Sequence, residues 1–259
     1  MNFHKIHALG NDFVVFGTPN QHKLPNPEFI RIICDRHYGI GCDCAVFICG
    51  SENADYFMHV YNPDGFEAEI CGNALRCSAK YVSDSGFFKK RIFTVETKSG
   101  IRTVSVDGDH ITAEIGRASI IDHGNLDVSG VSLPYYSVSM GNPHCVIFLT
   151  YGIDDREFEH FGSSIEHHPL FPNGTNVEFA CVTNNNRIVM RVWERGIGET
   201  LSCSTGSCAC VAAAQYENLC GNNVQVYQPG GIINVETRNC GNMFINGGCT
   251  TSFKGTFIQ

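Results

Sequence analysis

No cluster of lysines and arginines occurs in this 259-residue chain, whose formal net charge is -8 at pH 7. Phosphate contacts need clustered basic side chains, so the charge argues against non-specific nucleic-acid binding. Lys89-Lys90-Arg91 is short and reads as a solvated turn. No apolar run approaches the roughly 20 residues of a membrane span. Low-complexity segments and long linkers are also missing. No C-x-x-C pair occurs, which removes the usual zinc-ribbon and thioredoxin signatures. Met1-Asn2-Phe3-His4-Lys5 leads into a mixed polar segment without the apolar stretch of a secretory leader, so a cytoplasmic protein is expected.

Against these absences stand 14 cysteines. They are too dilute, in too long a chain, for a small disulfide scaffold, and a reduced cytoplasmic protein fits best. A hydrophobic content of 43% suffices for ordinary cores, and the length predicts two domains. Period and turn signals predict strands over 3–7 and 13–16, a helix over 28–36, strands over 45–48 and 57–61, and a helix from Cys71 to about Ser83. Strands with two turns then fill 92–115. A second unit starts near Gly116. Its expected strands are 135–140, 146–148, 176–182 and 188–193, with a weak helix over 154–165. An Ala- and Cys-rich helix ending at Gly221 follows, then strands over 224–227, 232–236 and 243–245. The second unit thus repeats the first, as strands, cysteine, small-residue helix and strands.

The repeat centres on two stretches, Asn62-Pro63-Asp64-Gly65-Phe66-Glu67-Ala68-Glu69-Ile70-Cys71-Gly72-Asn73-Ala74-Leu75-Arg76-Cys77 and Trp193-Glu194-Arg195-Gly196-Ile197-Gly198-Glu199-Thr200-Leu201-Ser202-Cys203-Ser204-Thr205-Gly206-Ser207-Cys208. In each, a strand and a glycine turn lead to a cysteine where a helix begins. N–H groups at a helix start have no intrahelical partner and the dipole is positive there. Such a place lowers a thiol's pKa and can hold a carboxylate. Cys77, six residues into the first helix, reads as core.

Two such thiols suit racemisation at an amino-acid α-carbon. One group takes the proton from one face and the other returns a proton to the opposite face. The carbanion's charge spreads onto the carboxylate, where N–H donors stabilise the transition state more than the ground state. Each donor of this kind is worth about 3 kcal/mol.

The chain resembles the diaminopimelate epimerase family over nearly its whole length. The matching stretches are 5–13, 35–41, Asn62 to Cys77, Met140-Gly141-Asn142-Pro143-His144-Cys145, 172–179, Trp193 to Cys208 and Pro229-Gly230-Gly231. The resemblance implies an α/β fold of the α+β type with two pseudo-symmetric domains, here 1–116 plus 247–259 and 117–246. Each would be a curled mixed or antiparallel sheet around a central helix, with the active site in the cleft between them. It implies neither pyridoxal phosphate nor a metal, no nucleic-acid or membrane partner, and a homodimer.

Residue by residue, the resemblance makes Cys71 and Cys203 the catalytic thiols, assisted by His144 and Glu194. The reacting carboxylate would sit on the N–H groups of Gly72, Asn73, Ser204 and Thr205. Asn11, Asn62, Asn142, Asn176 and Arg195 match substrate contacts, Arg195 for the distal carboxylate. Ser204 replaces a usual glycine, which matters only if its φ must be positive. Ala74-Leu75 stands where Gly-Ala is commoner. Cys44 lies where some members place a substrate-facing glutamine. The expected reaction is epimerisation of LL-2,6-diaminopimelate to the meso form, for lysine and peptidoglycan synthesis. A related racemase of another amino acid is the alternative, disfavoured by Asn62, Asn176 and Arg195. A non-catalytic protein on this fold is disfavoured by the intact cysteines.

Overall fold

The computed structural model describes residues 1–18, 25–68 and 71–258. The chain divides into two units, Met1–Glu114 with Asn246–Gln259, and Ile115–Ile245. The first opens with β1 (Asn2–Ala8), β2 (Asn11–Gly17), α1 (Pro27–Cys34), β3 (Cys44–Cys49) and β4 (Tyr56–Tyr61). It continues with α2 (Gly72–Asp84), β5 (Ile92–Thr97), β6 (Gly100–Asp107) and β7 (His110–Arg117). The second contains β8 (Ser119–Val128), β9 (Val131–Ser139), β10 (Pro143–Phe148), α3 (Asp155–Glu166), β11 (Asn176–Asn184) and β12 (Arg187–Glu194). After β13 (Gly198–Thr200) come α4 (Ser204–Tyr216), β14 (Asn223–Gln228), β15 (Gly231–Thr237) and β16 (Asn242–Gly248), and β17 (Thr250–Thr256) closes the chain beside β1.

Among the described residues each unit is a mixed sheet with two α-helices, and the second adds a 3-10 turn at Asn239–Gly241. Neighbouring pairs from β1 to β6 alternate antiparallel, parallel, antiparallel, parallel, antiparallel. The pairs β9–β10, β10–β11, β11–β12, β12–β14 and β14–β15 follow the same alternation. Parallel neighbours need a crossover, and each helix supplies one. The central strands are buried on both faces, which explains their continuous apolar runs. Val14 and Phe16 pack with Ile30 and Ile33 of α1 and with Phe47. Phe13 and Val15, on the opposite face, are buried as well. In the second unit Phe158 and Ile165 of α3 pack on Cys145, Ile147, Val177 and Phe179.

The other helices are enclosed. α2 touches β1, β2, β3, β4 and β6, and α4 touches β8, β9, β10, β11, β12 and β15. A helix that meets so many strands of its own sheet requires that sheet to curl around it. Small residues such as Ala74, Ser78, Ala79, Ala209, Ala213 and Ala214, all fully buried, permit the close approach.

Strand register aligns the two units position by position. Phe13 opposes Cys44 and Ala45 opposes Tyr61 in the first. His144 opposes Asn176 and Val177 opposes Trp193 in the second. Asn11 therefore corresponds to Asn142, Phe13 to His144, Cys44 to Asn176, Val46 to Glu178 and Asn62 to Glu194. Both cysteines lie nine positions beyond Asn62 and Glu194 respectively (71 - 62 and 203 - 194).

Some elements depart from the pattern-based expectation. The last helix ends at Tyr216, not Gly221, because Asn218 takes a φ of +58° and Leu219 N–H closes back on Ala214 O. This is a Schellman-type ending with asparagine in glycine's place. α1 stops at Cys34, two residues before the expected Arg36. β8 and β17 have mostly exposed side chains and so carry no apolar alternation to read.

A close approach in the second unit gives a stability test. A Cβ on Gly162 of α3 would stand 2.9 Å from two ring carbons of Trp193, whereas one on Gly152 would meet nothing within 4 Å. Overpacking of that kind costs about 1–3 kcal/mol. Urea denaturation should show Gly162→Ala destabilised by that amount and Gly152→Ala within about 0.5 kcal/mol of the parent.

Candidate active site

Cys71 is the N-cap of α2 and Cys203 the N-cap of α4, both with extended backbone. Each sulfur accepts a hydrogen bond from the third helical N–H, Ala74 N at 3.5 Å and Gly206 N at 3.4 Å. A thiol here fills the place that serine or aspartate usually takes. Gly72 and Asn73, and Ser204 and Thr205, are the first two helical residues, whose N–H groups point out of the helix start. Ser204 is not among the residues of positive φ, so replacing glycine there imposes no strain.

In the first unit the amide of Asn73 donates to Asn11 Oδ1 at 3.1 Å. Asn11 Nδ2 in turn donates to Asp43 Oδ2 at 2.8 Å. Asp43 and Asp12 are tied by Asp43 N–H to Asp12 Oδ1 at 2.9 Å and Asp12 N–H to Asp43 Oδ2 at 3.0 Å. Arg36 bridges both carboxylates, at 2.8 and 2.7 Å, and Lys5 reaches Asp12 at 2.6 Å. On the other side of Asn73, fully buried Arg76 donates to Asn73 Oδ1 at 2.6 Å. Cys44 is buried and its thiol donates to Asn62 Oδ1 at 3.7 Å. Glu69 and Ile70 of the first motif lie outside the described residues. Cys77 is fully buried in α2, as a core residue is.

In the second unit His144 is fully buried, with Nδ1 2.6 Å from Glu178 Oε1 and Nε2 3.1 Å from Asn142 Oδ1. Asn142 Nδ2 donates to Thr205 Oγ1 at 3.4 Å, and that hydroxyl lies 3.5 Å from the sulfur of Cys203. Thr200 Oγ1 donates to Glu194 Oε1 at 2.5 Å. The expectation for the thiol is reversed here. Burial pushes Cys203 well above the ordinary thiol range, and the Glu194 and Glu178 carboxylates push it further. The hydrogen bonds from Thr205 and Gly206 act in the opposite direction without overcoming them. A helix start lowers a thiol's pKa only where desolvation is weaker than the dipole.

Asn176 spends its side chain on the backbone. Oδ1 accepts from Arg195 N–H at 3.0 Å and Nδ2 donates to Pro143 O at 2.8 Å. The Arg195 turn is held further by buried Glu166, which accepts from Gly196 N–H and from the Trp193 ring, both at 2.7 Å. The exposed Arg195 guanidinium donates to Asn173 O at 3.4 Å and has no carboxylate partner among the described residues.

Sequence reasoning passed over Glu178, Glu166, Asp43 and Arg76. A charge inside an apolar strand, as in Val177-Glu178-Phe179-Ala180, is the signal that singles out Glu178. Asp43 and Glu166 carried no comparable mark.

A family model described as diaminopimelate epimerase matches residues 3–121 and 136–250. The diaminopimelate epimerase of Desulfitobacterium hafniense is 38% identical over 282 residues, covering 100% of this chain and 99% of the relative. That of Leptospira biflexa is 35% identical over 276 residues, covering 98% of each. Among solved structures, a hydroxyproline epimerase from Agrobacterium vitis superimposes with a TM-score of 0.78 at 14% identity, covering 98% of this chain and 91% of that one. A phenazine biosynthesis protein of the PhzF family from Bacillus anthracis gives 0.74 at 19% identity, covering 100% and 99%. These two likenesses concern the fold.

The network behind Asn11 predicts an acid limb in stability. Burial raises the Asp12 carboxyl, but the hydrogen bonds from Arg36 and Lys5 outweigh it and bring the group to about 2. Its folded value lies below its unfolded one of 3.8, so the stabilisation is complete above that value and lost as pH falls toward 2. Discounted for the exposed Arg36 partner, it amounts to about 1–2 kcal/mol. Urea midpoints should place Asp12→Asn below the parent by that amount at pH 7, and the gap should close between pH 4 and pH 2.

Proposed function

The chain belongs to the diaminopimelate epimerase family, and from that premise we propose that it converts LL-2,6-diaminopimelate to the meso form through two thiols, in lysine and peptidoglycan synthesis. The observation that carries the reading is the repeated one, a cysteine capping the enclosed helix of each unit. One thiolate removes the α-proton and the other thiol delivers a proton to the opposite face. Cys203, held as the thiol by burial and by its two neighbouring carboxylates, suits the proton-delivering part, and microscopic reversibility exchanges the parts in the reverse direction. The first N–H groups of α2 and α4 hold the reacting carboxylate, where negative charge grows as the carbanion forms. His144 and Glu194 assist, and Asn11, Asn62 and Asn142 orient the amino acid.

The distal end decides between this substrate and another amino acid. Arg195 presents a guanidinium without a carboxylate partner among the described residues, on a turn fixed by Asn176 and Glu166. That supports a second carboxylate as its ligand, gripped in a two-point contact. Cys44 holds Asn62 in this reading and leaves the distal carboxylate to Arg195. The working form is read as a cytoplasmic homodimer, as the resemblance implies.

Assay of the purified protein on LL-diaminopimelate tests the reading. Cys71→Ser and Cys203→Ser should each lose at least about three orders of magnitude in kcat, because a hydroxyl is far too weak an acid and base to replace the thiol. Cys77→Ser should stay active. Active Cys71→Ser with inactive Cys77→Ser would show that the motif has been misassigned. Arg195→Lys should impair diaminopimelate strongly and monocarboxylic amino acids little, since an ammonium lacks the planar fork. Equal losses on both substrate kinds would remove Arg195 from the distal end.

A further inference from the structure

The two units differ most where their repeat should make them alike. Phe13, Val46 and Ala74 in the first unit correspond by register to His144, Glu178 and Gly206 in the second. All of Phe13, Val46, Ala74, His144 and Glu178 are fully buried. The fold is therefore satisfied by apolar residues at these positions, and the second unit replaces two of them with a buried ionisable pair. Such pairs seldom repay their desolvation. Glu178 Oε2 is buried and has no hydrogen-bond partner among the described residues. Gly206 belongs to the same change, for a Cβ there would stand 2.6 Å from Glu178 Oε1. The first unit, with valine in the glutamate's place, carries alanine at this helical position.

The donors and acceptors define a direction. Both ring nitrogens of His144 face oxygen acceptors, Glu178 Oε1 at 2.6 Å and Asn142 Oδ1 at 3.1 Å. Two acceptors on one imidazole are both satisfied only when the ring carries two hydrogens. Asn142 then offers its NH₂ to Thr205 Oγ1, and the threonine hydroxyl is left to donate to the sulfur of Cys203. The titratable groups that face Cys203 are Glu194 at the end of β12, Glu178 on β11 and Cys210 on its own helix. The Glu178 charge taken alone pushes the thiol up; an imidazolium paired with it offsets that charge and leaves the alignment of the donors as its net effect on Cys203.

We propose that Glu178 is a positioning residue: it holds His144 as the imidazolium and thereby aligns Asn142 and Thr205 as donors toward the Cys203 sulfur. The proposal deepens the two-thiol reading and rests on it for its meaning in catalysis. When Cys203 gives up its proton, the aligned donors stabilise the thiolate that remains, and they favour that state over the neutral thiol. Glu178 itself touches no reacting atom.

Two measurements that need no turnover test this. In the parent protein, ¹⁵N NMR of the histidine rings, assigned with His144→Gln, should show both His144 nitrogens protonated at neutral pH. Glu178→Gln should leave one protonated. Site-resolved alkylation by iodoacetamide, followed against pH by mass spectrometry, should show the Cys203 midpoint rising by about one pH unit, a tenfold change in thiolate at fixed pH, in Glu178→Gln. The Cys71 midpoint should stay put. Thr205→Val, which removes only the last donor, should raise the Cys203 midpoint similarly and remains informative if the Glu178 variant fails to fold. A neutral His144 ring in the parent overturns the proposal. So does a Cys203 midpoint that falls or stays in either folded variant, because Glu178 would then act as a bare negative charge. These outcomes stand apart from the assay on diaminopimelate, whose failure would overturn the two-thiol reading and leave the alignment of the donors to be judged by alkylation alone.

Discussion

The start of an enclosed helix is the constraint on which the rest of each unit depends. A helix buried on every side cannot leave its first N–H groups to water, so something must cap them inside the protein. In both units a cysteine sulfur takes the third N–H. The curled sheet, the small residues on α2 and α4 and the turns after β4 and β12 all serve to bring that end into a fixed place. Stability and chemistry thus use the same groups, because the N–H groups that must be satisfied are the ones that can hold a carboxylate.

The two halves then diverge in how they support their cysteines. Around Cys71 the support is a network of amides and half-buried carboxylates that ends on an exposed guanidinium, from Asn73 through Asn11 to Asp43, Asp12 and Arg36. Around Cys203 it is a line from fully buried Glu178 and His144 through half-buried Asn142 to buried Thr205. A pattern common to both units persists in Asn11 and Asn142, which both engage the second residue of their helix. The difference suits a reaction in which one group takes a proton while the other gives one.

Much of this was legible in the sequence because the signals were local. The glycine turns, the cysteines at the helix starts and the apolar strands produced α2, α3, β3, β4, β11 and β12 to within a residue or two. What the sequence hid depended on partners distant along the chain. Nothing near Glu166 announces that it holds the Trp193–Gly196 turn. Cys203's elevated pKa arises first from burial among elements distant along the chain, whereas the local motif alone predicts the reverse. β8 and β17 went unread because exposed polar strands owe their existence to a neighbouring strand rather than to their own pattern.

The central claim is that two thiols, one from each unit, divide a single proton exchange. Initial-rate turnover of unlabelled LL-diaminopimelate in heavy water tests it most directly, with deuterium at the reacting carbon read in both product and residual substrate. The account predicts that the first meso product is fully deuterated there while residual LL substrate stays unlabelled, since the group that delivers the proton has exchanged with solvent and is not the group that removed one. Early meso product that retains the substrate's own hydrogen would mean that one group does both, and would contradict the account.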